Sequence, residues 1–203
     1  MEMEFRQVQI PYLHCVLYET IRQEERGEAI VPDGTGDMER IVGCCADALM
    51  RSRQCQDEIL SISGDVQVCV LYQAAGGDEP QELRMYLPFS LRRTVPAESC
   101  SCTVSCRVSR AEAQMLGSRR VGVRVTLLFS LRVWSRREQL CFRPETPDRR
   151  VQLRLREYPM RLVCECTEKN VLLRDTLPLE AGAPAPARIV HTGARCELTD
   201  EKI

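Results

Sequence analysis

The sequence is poor in several residue types that carry chemistry, and it has no long apolar run. Its 203 residues include two histidines, one tryptophan and two lysines, so almost all of the positive charge is arginine. No stretch approaches the ~18 apolar residues that a membrane-spanning helix needs. Basic and acidic residues number 28 and 29, which gives a formal net charge of −1. That balance disfavours a dedicated nucleic-acid-binding protein, which usually carries a clear basic excess.

The start of the chain lacks the features of a secretion signal. Met1–Phe5 contains no basic residue, and no long apolar segment follows it. We therefore expect a cytoplasmic protein, in which the 12 cysteines stay reduced. Most of them should then behave as small buried hydrophobic residues.

The sequence offers few arrangements for catalysis or metal binding. It contains no Cys-x-x-Cys pair of the kind that structural zinc sites use, although the cysteines of the segment Cys100–Cys106 would share one strand face. His14 and Cys15 are adjacent, so a strand would point them to opposite faces rather than into a nucleophile–base pair. The segment Gly34–Gly36 lacks the lysine and helix of a phosphate-binding loop. We therefore predict a protein that is not an enzyme, with no catalytic, cofactor-binding or metal-binding residues; a cysteine-based metal or redox protein is the less favoured alternative.

What the sequence does contain is alternation of apolar and polar residues. In the segment Gly64–Tyr72, Val66, Val68, Val70 and Tyr72 fall on one face of an extended chain. A glycine-containing turn over residues 74–80 and a second extended run, Glu82–Phe89, complete a predicted hairpin. The longest alternation places seven apolar residues on one predicted buried face: Val121, Val123, Val125, Leu127, Phe129, Leu131 and Val133.

Other segments are less regular. Residues 5–31 predict two extended segments, Phe5–Thr20 and Glu25–Val31. Asp37 can cap a short helical turn, which predicts a brief helix followed by a strand over residues 43–55. Residues 136–150 are charged and contain two prolines, which predicts a linker. Short alternating strands with turn signals predict an all-β fold, a β-sandwich with Ig-like packing of antiparallel sheets and at most short helical turns.

The end of the chain is similar to its beginning. Leu179–Val190 aligns with Val31–Val42 at an offset of 148 residues, and residues 151–156 align with residues 1–6. Collinear similarity of this kind predicts tandem units. We therefore divide the chain into N-terminal strands (1–36), a first β domain (37–135), a linker (136–150) and the opening of a second, incomplete repeat (151–203).

Two motifs carry a resemblance to a known family. The first is Val-Pro-Asp-x-x-x-Asp-hydrophobic-x-Arg-Ile, present as Val31–Ile41. The second is a Gly-x-Val-x-Val-x-Val-Leu-Tyr strand, Gly64–Tyr72, followed by the Leu-Pro-Phe-Ser arm Leu87–Ser90. Together they resemble the SPOCS family of spore-coat-associated domains. The structural motif residues that we single out are Pro32, Asp33, Gly34, Asp37, Arg40, Ile41, Gly64, Tyr72, Pro88 and Phe89.

The resemblance implies a non-catalytic scaffolding module that mediates protein–protein contacts in spore coat assembly. Its implied location is the mother-cell side of the forespore surface, and its implied partner is a coat morphogenetic protein. No cofactor, nucleic acid or membrane insertion is implied, and self-association is left open. An alternative is a carbohydrate- or cell-wall-binding β-sandwich that uses Trp134, which we expect to be exposed. We expect Asp33, Asp37 and Arg40 to form an ion-paired turn with a structural role.

Overall fold

The protein is built from six long β-strands. The computed structural model describes residues 5–96, 99–144 and 159–168, and beyond these residues 172, 174–176, 178–180, 182–185, 189 and 192. The strands are β1 (Phe5–Ile30), β2 (Met38–Gln56), β3 (Ile59–Ala74), β4 (Pro80–Thr94), β5 (Ser99–Gly117) and β6 (Arg120–Pro144). The described residues contain no helix, so none of them forms one that could cross a membrane. The predicted all-β class is confirmed.

The strands form two antiparallel three-stranded sheets. One, here the β6 sheet, has the order β1-β6-β5, and the other, the β3 sheet, has the order β2-β3-β4. The predicted hairpin is the β3–β4 pair, in which Val68 lies opposite Met85. In each sheet the central strand is the one with the clearest apolar alternation, because its side chains have neighbours on both sides.

The two sheets share one hydrophobic core. All seven apolar residues of the longest alternation are buried, as are Val66, Val68, Val70 and Tyr72 of β3. Phe89 of β4 meets Phe129 of β6 edge to face, with ring centroids 5.6 Å apart. These side chains come from the inward faces of different sheets, so the alternation identified the core-facing positions correctly.

The two sides of the molecule are joined by different chemistry. On one side β2 lies beside β5, where core-facing residues such as Cys44, Ala46, Cys106 and Ala111 are small. On the other side β1 and β4 are linked by polar contacts. Arg93 of β4 makes two hydrogen bonds with the Glu19 carboxylate of β1, at 2.7 and 2.8 Å. On this side Leu87 of β4 also packs directly against Gly27 of β1, where a Cβ would collide with Leu87 Cδ2.

The predicted brief helix after Asp37 is wrong. Residues from Met38 onward are strand, and β2 has register shifts at Met38/Arg40, Ile41/Gly43 and Met50/Ser52. Each shift places an extra residue on β2 and so interrupts the period-two pattern. An interrupted alternation imitates helical spacing, which explains the ambiguity in the sequence.

The first and last strands are longer than predicted. β1 is continuous, with a register shift between Cys15 and Leu17 instead of a break near residue 20. Residues 136–144 do not form a linker, because they continue β6 and pair with β1 from Leu13 to Phe5. This part is a two-stranded ribbon with both faces largely exposed, so it lacks the apolar face by which strands are recognised. Residues 145–150 and most of the predicted second repeat lie outside the described residues.

Candidate functional site

The Val-Pro-Asp motif forms the connection between β1 and β2. Thr35 donates hydrogen bonds to the Pro32 carbonyl oxygen from its backbone N–H at 3.3 Å and its side-chain Oγ1 at 2.7 Å. Gly34 has φ +93°, a conformation that glycine adopts without steric cost. The prediction of a turn here is confirmed, and the motif residues Pro32, Asp33 and Asp37 are exposed on it.

An arginine from a distant hairpin holds this turn. Arg119, in the β5–β6 turn, donates to the carbonyl oxygens of Val31 at 3.1 Å, Pro32 at 3.0 Å and Thr35 at 3.4 Å. One guanidinium therefore satisfies three carbonyls of a loop that has few partners of its own. This role could not be read from the sequence, because Arg119 is 84 residues away from Thr35.

Arg119 also pairs with both motif carboxylates. Its guanidinium lies 3.2 Å from Asp33 Oδ1 and 3.1 Å from Asp37 Oδ1. The expected partner, Arg40, is instead an exposed β2 residue opposite Gln73. The predicted ion-paired turn is therefore present, but with Arg119 in the place of Arg40. Since the Asp33 side chain is fully exposed, that pair contributes little and the carbonyl contacts matter more.

Backbone hydrogen bonds complete the junction around Arg119. Val31 N–H donates to the Arg119 carbonyl at 2.9 Å, and Met38 N–H donates to the Ser118 carbonyl at 2.6 Å. Ala75 N–H, in the β3–β4 turn, donates to the Asp37 carbonyl at 2.7 Å. Three connections from both sheets therefore meet at this end of the molecule.

The remaining motif residues pack the β3 sheet. A Cβ on Gly64 would lie 2.6 Å from Cζ of Phe89 and would also collide with the Leu49 carbonyl oxygen. Glycine at 64 thus lets the Phe89 ring cross the strand and reach Phe129. Tyr72 is 1% exposed and Ile41 is half-buried. Pro88 lies exposed on the edge strand β4, a position that tolerates the missing N–H.

Among the cysteines of the described residues, Cys44, Cys102 and Cys106 pack against the core, and Cys69 is buried. Burial raises the pKa of the Cys69 thiol to about 12 and those of the Cys44 and Cys106 thiols to about 11. Cys45 lies opposite Cys69 and donates from Sγ to the Cys69 carbonyl oxygen at 3.6 Å. Because their pKa values are raised, these three thiols are protonated at neutral pH and weakly nucleophilic.

Among the described residues, no group of three or more histidine, cysteine, aspartate or glutamate side chains is placed to hold a metal ion. Cys102 and Cys106 both pack against the core, as their alternation predicts. The side chain of Cys100 lies outside the described residues. His14 is exposed, whereas the neighbouring Cys15 is half-buried and donates from Sγ to the Leu17 carbonyl oxygen at 3.4 Å.

Trp134 is less exposed than expected. Its side chain is half-buried and its indole Nε1 is fully buried. A sugar-binding platform needs an aromatic face open to solvent, so this finding removes the observation behind the carbohydrate-binding alternative.

The outer edge of β1 pairs with another segment of the same chain. β6 pairs with the inner edge of β1 along its whole length. On the outer edge, Leu13 N–H donates to the Val163 carbonyl oxygen at 2.6 Å, within an antiparallel bridge to the segment 159–168. The same segment reaches β2, where Arg53 lies 2.6 Å from Glu168. The edge therefore already accepts one extended segment of this chain.

Comparisons with known proteins give no relatives for this chain. No protein-family model, no curated protein and no solved structure matches it.

Proposed function

We propose that the protein is a non-catalytic β-sandwich adaptor that joins other proteins in spore coat assembly. The sandwich is the arrangement that two antiparallel sheets with a shared core favour. The location, the spore role and the coat morphogenetic partner rest on the resemblance of Val31–Ile41 and Gly64–Ser90 to SPOCS domains.

The single observation that supports contact by strand pairing is the outer edge of β1. Its N–H and C=O groups point away from β6, and Leu13 uses one of them to bind Val163. Successive outward groups lie two residues apart, so Pro11 occupies an outward position at which a proline leaves the β1–β6 ladder intact. An edge of this kind can accept a partner strand by main-chain hydrogen bonds.

The experiment is a pull-down from sporulating cells with this chain as bait. We expect it to recover a coat morphogenetic protein, and deletion of the gene to impair the coat. The backbone N–H of Gln9 points away from β6, as do the backbone groups of Leu13 and Pro11. Gln9→Pro should therefore reduce recovery of the partner while circular dichroism shows an intact fold.

Gln9→Ala is the matched control, because it removes the same side chain and keeps the N–H. It should recover the partner as the unchanged chain does. Recovery of no coat component, together with no phenotype on deletion, would rule out the proposed function. Equal recovery by the proline and alanine variants would rule out pairing at this edge.

A further inference from the structure

The outward face of the β6 sheet carries a cluster of arginines and hydroxyls. The pairing of β1, β6 and β5 places these residues in three neighbouring rows that cross the strands. We call the nine residues of these rows the arginine patch. From β1 through β6 to β5 the rows are Arg22–Leu128–Arg107, Thr20–Ser130–Ser105 and Tyr18–Arg132–Thr103. Phe129 and Leu131 between these rows, and Leu127 beside the first row, are buried, so the patch residues face away from the core.

The patch carries three positive charges and no carboxylate. Arg22, Arg107 and Arg132 are exposed, and none of them forms a salt bridge with a carboxylate of the described residues. Two serines and two threonines between them offer further hydrogen-bond donors. The patch is therefore a local excess of positive charge on a chain whose net charge is −1.

The neighbouring rows of the same face differ because their arginines are neutralised within the sheet. Arg26 and Arg124 lie 2.6 and 3.6 Å from Glu24 Oε1, and Arg110 lies 2.5 Å from Glu112. The hydrogen bond from Arg26 is the main cause that lowers the pKa of Glu24. The sheet thus pairs its own charges along one part of the face. In the patch, Arg22 adds only a minor electrostatic attraction to Glu24, and the patch arginines form no salt bridge with a described carboxylate.

The patch is also partly ordered before any ligand binds. The Arg132 guanidinium lies 5.2 Å from the centroid of the Tyr18 ring, and Tyr18 is 67% exposed. Half-buried Leu128 lies between Arg22 and Arg107 and adds apolar surface to that row. Arginine and tyrosine are among the residues that most often dominate protein–protein interfaces.

We propose that the arginine patch binds an acidic peptide segment of a protein partner. Planar guanidinium groups bind carboxylates through two parallel hydrogen bonds, which a hydrated ammonium does not match. Side chains two rows apart along a strand are ~13 Å apart, so four or five residues of an extended acidic peptide span the patch. This inference rests on the proposed function, since it names the chemistry of the partner.

An acidic peptide fits the patch better than a nucleic acid does. Nucleic-acid surfaces carry a broad basic excess and several stacking aromatics, whereas this patch has three arginines and the single exposed ring of Tyr18. A compact patch of limited charge matches a short run of glutamate or aspartate side chains.

Fluorescence anisotropy with a labelled hexaglutamate peptide tests the proposal on the full chain. We expect binding that weakens as NaCl is raised from about 50 to about 300 mM, because these charges are exposed. The double variant Arg22→Ala/Arg107→Ala should weaken binding about tenfold.

The matched control is Arg92→Ala/Arg143→Ala, which removes two exposed arginines outside the patch. It should change the peptide affinity less than about twofold, since it leaves the patch intact. Binding of a labelled thymidine hexanucleotide is measured in the same way, to test a nucleic acid as the alternative ligand.

Three results would overturn the acidic-peptide assignment: no hexaglutamate binding at about 1 mM protein, equal weakening by both double variants, or tighter binding of the hexanucleotide through Arg22 and Arg107. If one of these results were obtained while the pull-down still recovered the partner, the adaptor function would be retained. The partner would then bind at a surface other than the arginine patch. Loss of partner recovery with intact peptide binding would instead count against the adaptor function alone.

Discussion

At the scale of single residues, Arg119 is the side chain on which the end of the molecule depends. Its guanidinium reaches five acceptors between Val31 and Asp37, three of them backbone carbonyls. The adjacent Arg120, beside Glu28, makes one exposed ion pair. The two arginines carry the same charge, but only Arg119 lies beside backbone carbonyl groups that need a hydrogen-bond donor.

We therefore expect Arg119→Ala to lower the free energy of unfolding by about 2 kcal/mol, because the loop carbonyls lose a charged donor. The adjacent Arg120→Ala should cost less than about 1 kcal/mol, since only an exposed ion pair is lost. Urea unfolding followed by circular dichroism measures both. Equal effects of the two variants would contradict the structural role given to Arg119.

A second residue-scale prediction concerns Cys69. Its thiol has an ordinary pKa of 9.0, which burial raises to about 12 in the folded protein. Between these values the unfolded chain loses the proton and the folded chain keeps it. The folded state then binds more protons than the unfolded state, so stability contributed by this thiol is present below pH 9 and falls as pH rises towards 12.

Urea unfolding at pH 8, 9 and 10 should thus show a steeper loss of stability for the unchanged chain than for Cys69→Ala. Taking the difference between the two proteins at each pH cancels the titration of groups they share. If the two proteins lost stability in parallel between pH 8 and 10, burial of the Cys69 thiol would not be the cause of that loss.

At the scale of elements, the β2–β3 hairpin has a turn that its residues do not favour. Asp57 and Glu58 have φ values of 50° and 62°, so both adopt the left-handed conformation without being glycine. A two-residue turn with two positive φ angles matches the right-handed twist of the strands, and Asp-Gly is among its preferred sequences. The twist requirement of the strands prevails over the local preference of Glu58.

Glu58→Gly should therefore raise the free energy of unfolding by about 1 kcal/mol, because it relieves the steric cost of positive φ. Glu138→Gly is the control: it also removes an exposed carboxylate, but from the interior of β6. That change should lower stability by about 0.5 to 1 kcal/mol, since glycine weakens a strand. Thermal and urea unfolding distinguish the expected stabilisation by Glu58→Gly from the expected destabilisation by Glu138→Gly. Destabilisation by Glu58→Gly would refute the turn assignment.

At the scale of the whole molecule, the two sheets depend on one another through a shared core. Phe89 and Phe129 belong to different sheets and meet edge to face at the centre. Neither sheet has another described apolar surface of comparable extent, since the fully buried apolar side chains belong to this one cluster. We therefore expect the sheets to unfold together.

A double-mutant cycle with Phe89→Leu and Phe129→Leu tests this dependence. The coupling energy should be about 0.5 to 1.5 kcal/mol, the range for aromatic pairs in contact. Leu131→Ala combined with Phe89→Leu provides a comparison within the same core. A Phe89–Phe129 coupling indistinguishable from zero would mean that the sheets do not pack as described.

The amino-acid sequence alone determined the strand class and the inward faces. The seven apolar residues from Val121 to Val133 and the four from Val66 to Tyr72 are buried as predicted, because period-two alternation reports directly which side of a strand avoids water. Local chemistry also identified the turn after Val31, since proline, aspartate and glycine restrict the backbone there.

Features that depend on distant residues become apparent only in the folded protein. The pairing of β1 with β6, the strand in place of a helix at Met38 and the continuation of β6 to Pro144 follow from partner strands that local pattern does not reveal. The same holds for Arg119, and for the arginine patch, whose members come from three strands and meet only through register. Alternation is a local consequence of burial, whereas register and long-range hydrogen bonds arise only when the sheets assemble.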